Sequence, residues 1–179
     1  MNLIDLGMVY NKDHALESKR VFFSVFTIFN IYDTVVDIGC GNTKVKSVIP
    51  KHCIYHGVDL DENSSTATIK ACVSDLPFET SYADVVMCLG FDFLKISGGV
   101  DEVHRVLKDQ GQLIFYCSTY YYNSSGIRDL LRENNFKIVG EARIRYDYNS
   151  EDLTQGIEGI IPVDGVYLIC KKKISNRED

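Results

Sequence analysis

No stretch of this 179-residue chain is long and apolar enough to cross a bilayer. The most apolar candidate, residues 21–31, is short and is interrupted by Ser24, Thr27 and Asn30. The amino terminus has neither the basic region nor the small-residue cleavage site of a secretory signal, so the expected location is the cytoplasm. None of the six cysteines forms a C-x-x-C pair. Cys40, Cys53, Cys72, Cys88, Cys117 and Cys170 are scattered, mostly in apolar strand-like runs, and read as reduced core residues rather than a zinc site or a disulfide framework. No metal is expected. Positive charge is in deficit: 19 Lys and Arg against 25 Asp and Glu leave a net charge of -6. That balance disfavours a protein that grips nucleic acid through its phosphates. Lys44, Lys46, Lys51 and the run Lys171-Lys172-Lys173 read as solvated surface. Internal repeats and low-complexity tracts are missing as well. The composition present, 45% hydrophobic and 25% charged, is that of one globular domain able to bury its own core.

Within that domain the most informative stretch is Val35-Val36-Asp37-Ile38-Gly39-Cys40-Gly41-Asn42. Val35 and Val36 are β-branched and suit a buried strand, while Gly39 and Gly41 let the chain turn sharply and bring bare backbone against a ligand. A second strand follows and ends at Asp59. An acid about 20 residues beyond a glycine turn is placed to accept hydrogen bonds from a ribose diol. The structural alternative for Asp59 is a strand-end acid that caps a turn. The dinucleotide fingerprint G-x-G-x-x-G requires glycine at position 44, where the chain has Lys44, and the phosphate-loop pattern is missing. A pyrophosphate ligand is therefore disfavoured.

Strand and helix signals alternate downstream: strand 34–38, short helix 44–49, strands 53–58, 67–73 and 83–88, helix 98–107, strand 111–117, helix 123–134, and strands 136–147 and 163–171. Such alternation implies a mostly parallel sheet with helices on both faces. Residues 149–161 are too few and too polar for a packed crossover helix, so the last two strands are expected to pair antiparallel. Apolar spacing at Val21, Phe22, Val25, Ile28 and Phe29 predicts an amphipathic helix over 16–31.

These pieces resemble the class I S-adenosylmethionine (SAM)-dependent methyltransferases. Asp37, Gly39 and Gly41 are similar to the family's acid-x-glycine-x-glycine motif. Asp75-Leu76-Pro77-Phe78 resembles its adenine loop, and the run from Tyr82 to Cys88 its fourth strand. Glu102-Val103-His104-Arg105-Val106-Leu107-Lys108-Asp109-Gln110-Gly111-Gln112-Leu113 resembles E-x-x-R-V-L-K-P-G-G-x-L. The segments beginning at Asn135 and at Gly165 are similar to the sixth and seventh strands. The chain departs from the pattern at Thr43, where a small residue is usual, at Asp109-Gln110 in place of Pro-Gly, and in a very short connection between Asp59 and Asp75.

The resemblance implies a Rossmann-like α/β fold: a seven-stranded, mostly parallel sheet with an antiparallel last strand and helices on both faces. It further implies one domain over 1–179, with an N-terminal flap or helix at 1–30 and a core at 34–173. The residues before the first strand would close over the methionine end of the cofactor, or residues 1–15 would be a disordered end. SAM is the implied cofactor, held at the carboxyl ends of the strands. The implied binding set is Asp37, Gly39, Cys40, Gly41, Asn42, Asp59, Leu60, Ser74, Asp75, Leu76, Cys88, Leu89 and Gly90. Asp37 would hold the ammonium group, Asp59 the ribose and Asp75 the adenine amine, with Leu60 and Leu76 sandwiching the ring. Asp75 is read equally well as a surface acid.

The acceptor is unassigned. The amino-methylation signature [DNS]-P-P-[YF] is replaced by Cys88-Leu89-Gly90-Phe91-Asp92, and no catalytic residue can be named. Asp92, His104 and the run Tyr120-Tyr121-Tyr122 are acceptor-side candidates, though His104 reads better as a packed or solvated helix residue. A small molecule or protein is favoured over bulk nucleic acid, a specific RNA stays open, and a homodimer or protein partner is expected to complete substrate recognition. The rival function is a methyltransferase-like scaffold without turnover. A nicotinamide oxidoreductase is disfavoured by Lys44 and the antiparallel last strand.

Overall fold

The computed structural model describes residues 3–5, 8–9, 23–24, 26, 28–42, 44–61, 64, 67–89, 93–118, 124–144, 146–147 and 165–173. Its strands are β1 (Leu3–Asp5), β2 (Met8–Val9), β3 (Thr34–Ile38), β4 (Ile54–Asp59), β5 (Ile69–Lys70), β6 (Ala83–Cys88), β7 (Leu107–Ser118), β8 (Phe136–Ile144), β9 (Tyr146–Asp147) and β10 (Gly165–Lys172). Its α-helices are α1 (Gly99–Val106) and α2 (Ser124–Glu133), and short 3-10 helices cover Lys44–Val48 and Phe93–Lys95.

Eight strands form one sheet in the order β1-β8-β10-β7-β6-β3-β4-β5. β10 runs antiparallel to β7 and β8, and the other pairings are parallel. The chain leaves β3 outward through β4 and β5, then returns to the other side of β3 with β6. That reversal opens a crevice at the carboxyl end of β3.

Both faces of the sheet are covered, which explains why its strands read as apolar runs. Val36, Ile38, Val86, Cys88, Leu113 and Phe115 point to the face packed by Val103 and Val106 of α1 and Ile127 and Leu131 of α2. Val35, Val85, Met87 and Ile114 point to the opposite face, where Phe23, Ile28, Val45 and Ile49 cover them. Each such aliphatic side chain contributes roughly 1.5–3 kcal/mol on burial.

The structure alters several expected boundaries. The strand predicted over 67–73 is reduced to Ile69–Lys70. The helix predicted to reach Ile31 is not helical at 28–33: the Asn30 N–H donates to Asp33 Oδ2 at 2.7 Å, and Tyr32 takes a left-handed φ of 68°. An Asp side chain that captures a nearby backbone N–H competes with helix continuation. The sheet gains an eighth strand: β1 pairs with β8 along the outer edge, and β2 pairs with β9. These pairings replace the flap or disordered end at residues 3–5 and 8–9. β7 begins at Leu107 rather than residue 111. With Asp109-Gln110 in place of Pro-Gly, no proline removes a backbone donor there. Gly111 is required by crowding, since an added Cβ would stand 2.7 Å from Leu107 Cδ1 and 2.9 Å from the Asp84 carbonyl oxygen. The connection 149–161 lies outside the described residues.

At the carboxyl half of β8, Glu141 is 1% exposed and takes two hydrogen bonds from Arg128 of α2, Nη2 at 2.6 Å and Nε at 3.2 Å. Arg143 Nε is farther, at 3.4 Å, on a side chain 47% exposed. Removing one partner of a buried pair strands the other charge, so Arg128→Ala is expected to lower the unfolding free energy by about 3 kcal/mol. Urea denaturation checks this, with Arg143→Ala expected to cost less than about 1 kcal/mol.

Candidate functional site

The carboxyl ends of β3 and β4 are tied together by backbone. Gly39 N–H donates to the Val58 carbonyl at 2.9 Å and Cys40 N–H to the same oxygen at 3.2 Å. Gly39 and Gly41 sit at φ 67° and 51°, a left-handed conformation that β-branched or bulky residues adopt only under strain. A Cβ on Gly41 would meet nothing within 4 Å, so its backbone conformation, not crowding, calls for glycine there.

Asp59 closes the turn. Its Oδ2 accepts the Gly41 N–H at 2.7 Å and its Oδ1 accepts the Asp61 N–H at 2.9 Å. The turn-capping alternative is thus realised, yet a carboxylate has about four acceptor positions, so capping leaves capacity for a further donor pair. Ser64 pins the following loop by donating its hydroxyl to the Gly41 carbonyl, and lies 3.8 Å from Cys40 Sγ. Asp37 is 2% exposed, and its Oδ2 accepts from the Tyr55 hydroxyl at 2.8 Å. Burial, reinforced by the Asp37 charge and hydrogen bond, pushes the Tyr55 phenol far above its ordinary range, so it stays protonated.

A pocket of about 230 Å3 opens beside the turn, lined by Ile38, Gly39, Asp59, Leu60, Ala71, Cys72, Val73 and Ile96. The walls are mainly apolar, with Asp59 as the acidic group. Leu60 is 61% exposed, as an apolar residue at an open mouth would be. This is a chemistry suited to a nucleoside: a planar base against aliphatic walls and a diol against a carboxylate.

Of the residues singled out in the sequence, Gly39, Asp59 and Leu60 line this pocket. Asp37 and Cys40 lie buried next to it in sequence, and Asn42 is exposed. Leu76 does not sandwich a ring: it is 3% exposed within the core packed by α1, its N–H donating to Glu102 Oε2 at 3.0 Å. Cys88 is likewise fully buried in that core, and Leu89 packs against the opposite-face cluster. Asp75 is exposed and Ser74 half-buried, and neither is among the lining residues. Gly90, Asp92 and Tyr120-Tyr121-Tyr122 lie outside the described residues. His104 is packed, its Nε2 2.7 Å from the Asn134 carbonyl and its ring 4.2 Å from that of Phe136.

The residues missed have a common cause. Ligand-facing residues follow the carboxyl end of a strand. Extending the third strand to residue 73 moved that position to Ser74, Asp75 and Leu76; with the strand ending at Lys70, it falls on Ala71, Cys72 and Val73. Ile96 follows the 3-10 helix Phe93–Lys95 and carries no local signal. The Glu102 and Arg105 pair prove to be a clamp on the neighbouring loop. Arg105 donates to Glu102, to the Leu76 carbonyl at 2.9 Å and to the Phe78 carbonyl at 2.6 Å. Glu102 is held below the usual carboxylate range, chiefly by the hydrogen bond from Arg105.

Among the described residues, no group of three or more His, Cys, Asp or Glu could hold a metal ion, and no helix is long and apolar enough to cross a membrane.

Comparison with known proteins agrees with this geometry. Residues 36–115 match a family model described as a methyltransferase domain. Among solved structures, a SAM-dependent methyltransferase from Methanosarcina mazei aligns with a TM-score of 0.65 at 15% identity, covering 85% of this chain and 98% of that one. Another from Archaeoglobus fulgidus gives 0.62 at 14%, covering 88% and 94%. The [4+2]-cyclase SpnF gives 0.68 at 14%, covering 92% and 83%. Identities this low establish shared fold alone, and the cyclase shows that one fold carries more than one chemistry. A search of curated proteins returned no match.

A mostly parallel sheet with a glycine turn and a strand-end acid at its switch point is a Rossmann-like arrangement. Residues 36–115 match a methyltransferase domain, and the sheet, with its antiparallel last strand, has the fold of the solved SAM-dependent methyltransferases.

Cys72 offers a reporter of this pocket. The Ser74 hydroxyl donates to its Sγ at 3.1 Å, and that bond leads the causes holding the thiol below its ordinary range. A lowered pKa populates thiolate at lower pH, so iodoacetamide is expected to label Cys72 fastest, with a pH midpoint below that of an ordinary cysteine. Ser74→Ala is expected to shift the midpoint upward and slow labelling at neutral pH. Buried Cys170, its thiol pushed up to about 12, is expected to stay unmodified in the fold, as read by peptide mass spectrometry.

Proposed function

We propose that this chain is a SAM-dependent methyltransferase that acts in the cytoplasm, as one domain, on a small-molecule or protein acceptor. The nucleoside of SAM occupies the pocket, with its base between the aliphatic walls that include Leu60 and Ile96 and its ribose on Asp59. The methionine end runs over the Gly39 and Gly41 turn toward Asp37. The observation that carries this reading is Asp59, a carboxylate at the pocket wall whose orientation is fixed by two backbone donors.

Charge placement supports the choice of acceptor. Because β10 is antiparallel, Lys171 pairs with Gln112 of β7, and Lys171 and Lys172 pair with Lys137 and Phe136 at the amino end of β8, away from the strand ends that bear the pocket. Lys172 faces Asp109 at 3.6 Å, Lys108 faces Asp84 at 2.8 Å and Arg132 faces Asp129 at 3.1 Å, so these cations are balanced locally. With a net charge of -6, such a surface favours acceptors that do not rely on phosphate contacts. Methyl transfer requires the acceptor atom in line with the sulfonium methyl, and a base only if that atom carries a proton. Such a compact chain is expected to borrow acceptor recognition from a second copy or a protein partner.

Calorimetric titration with SAM and S-adenosylhomocysteine tests the reading. Asp59→Asn keeps an acceptor for the Gly41 N–H but loses the charge, and is expected to weaken binding by about 1.5–3 kcal/mol, roughly ten- to a hundredfold. S-adenosylhomocysteine is also expected to slow alkylation of Cys72. Absence of binding by folded wild-type protein would sink the assignment and favour a scaffold without turnover.

A further inference from the structure

Asp37 lies two positions before the glycine turn on β3, and in the reading above it meets the ammonium group of the cofactor. A carboxylate this buried must be aimed, because its few remaining acceptor positions cannot be reoriented by bulk water. The aiming contact comes from the neighbouring strand. β3 and β4 are parallel with Asp37 opposite Gly57 and Val35 opposite Tyr55. Strand alternation puts Tyr55, Gly57 and Asp59 on one face. Gly57 places no side chain between them, and the phenol of Tyr55 reaches along the strand to Asp37 Oδ2, with the oxygens 2.8 Å apart. The ring is held in turn by Lys46, from the 3-10 helix that follows the glycine turn, its Nζ 5.7 Å from the ring centroid.

We infer that Tyr55 is a positioning residue for the amino-acid end of the cofactor: its hydroxyl fixes the Asp37 carboxylate so that the ammonium group meets a charge held in one direction. The inference rests on the cofactor placement under Proposed function. It assigns to Tyr55 a selectivity, not a general role in binding. The Tyr55 hydroxyl acts through Asp37, so a ligand without an ammonium group gains nothing from that hydroxyl. The phenol stays a donor through neutral pH because burial and the Asp37 charge oppose its ionisation. Its contribution is therefore constant across the range in which the cofactor amine is charged.

The experiment compares S-adenosylhomocysteine with 5′-methylthioadenosine, the same thionucleoside without the amino-acid tail, by calorimetry on wild type and Tyr55→Phe. Tyr55→Phe keeps the ring and removes only the donor. It is expected to lose about tenfold in affinity for S-adenosylhomocysteine while changing affinity for 5′-methylthioadenosine by less than about twofold. Equal losses for both ligands would show that Tyr55 only supports the pocket, and would overturn the inference. Unchanged affinity for S-adenosylhomocysteine would overturn it as well. Wild type that binds both ligands keeps the pocket assignment intact in either of those cases, whereas wild type that binds neither defeats the pocket and this inference together. Thermal unfolding of Tyr55→Phe near the wild-type midpoint confirms that the comparison is made on folded protein.

Discussion

The hydrogen bond from the Gly41 N–H to the carboxylate of Asp59 joins the two strand ends on which the pocket is built. It is charge-assisted and short, and it holds a left-handed glycine that the backbone alone would not fix. The Val58 carbonyl receives two further donors from the same turn, so the ends of β3 and β4 are held together as one unit. An acid at that position therefore caps the turn, and the same two donors fix the orientation of its carboxylate at the pocket wall.

The rest of the molecule keeps those strand ends in place. Apolar side chains on both faces lock β3 and β6 between two clusters, and the crossing of the chain from β5 back to β6 leaves the crevice where the turn lies. Away from the crevice, polar groups act as fasteners. Asp84 takes the Thr34 N–H at 2.9 Å and Lys108 Nζ at 2.8 Å, tying the start of β3 and the start of β7 to β6. Arg105 and Glu102 hold the loop through Leu76 and Phe78 against α1, while Ala71, Cys72 and Val73 of the same connection line the pocket. The pocket wall is thus set partly by a helix that contributes no lining residue.

Local patterns carried much of this to the reader of the sequence. The β-branched run ending in Asp37, the glycines at positions 39 and 41, and the acid at 59 each express a backbone requirement with a short range, and all appear where expected. The antiparallel last strand followed from a connection too short to cross the sheet. Less legible was the length of β5. Residues 67–73 have the apolar content of a strand, but the ladder register with β4 covers Ile69 and Lys70 alone. That misreading displaced the expected lining residues by three positions, from Ala71, Cys72 and Val73 to Ser74, Asp75 and Leu76. β1 was illegible for a similar reason, since three residues carry no periodicity until the edge of β8 pairs with them.

By itself, the sequence determined the architecture, the turn and the charge balance, because strand alternation, positive-φ glycines and composition are properties of neighbouring residues. Tertiary structure decided which side chains share the pocket and which are buried. Leu76 and Cys88 stand beside plausible binding positions in the chain, yet packing against α1 removes them from the site, while Ile96 enters it from a turn with no signal of its own. The pairing of Tyr55 with Asp37 likewise exists only once β4 lies in register beside β3, because a hydrogen bond between residues 18 apart is specified by that register and not by their spacing.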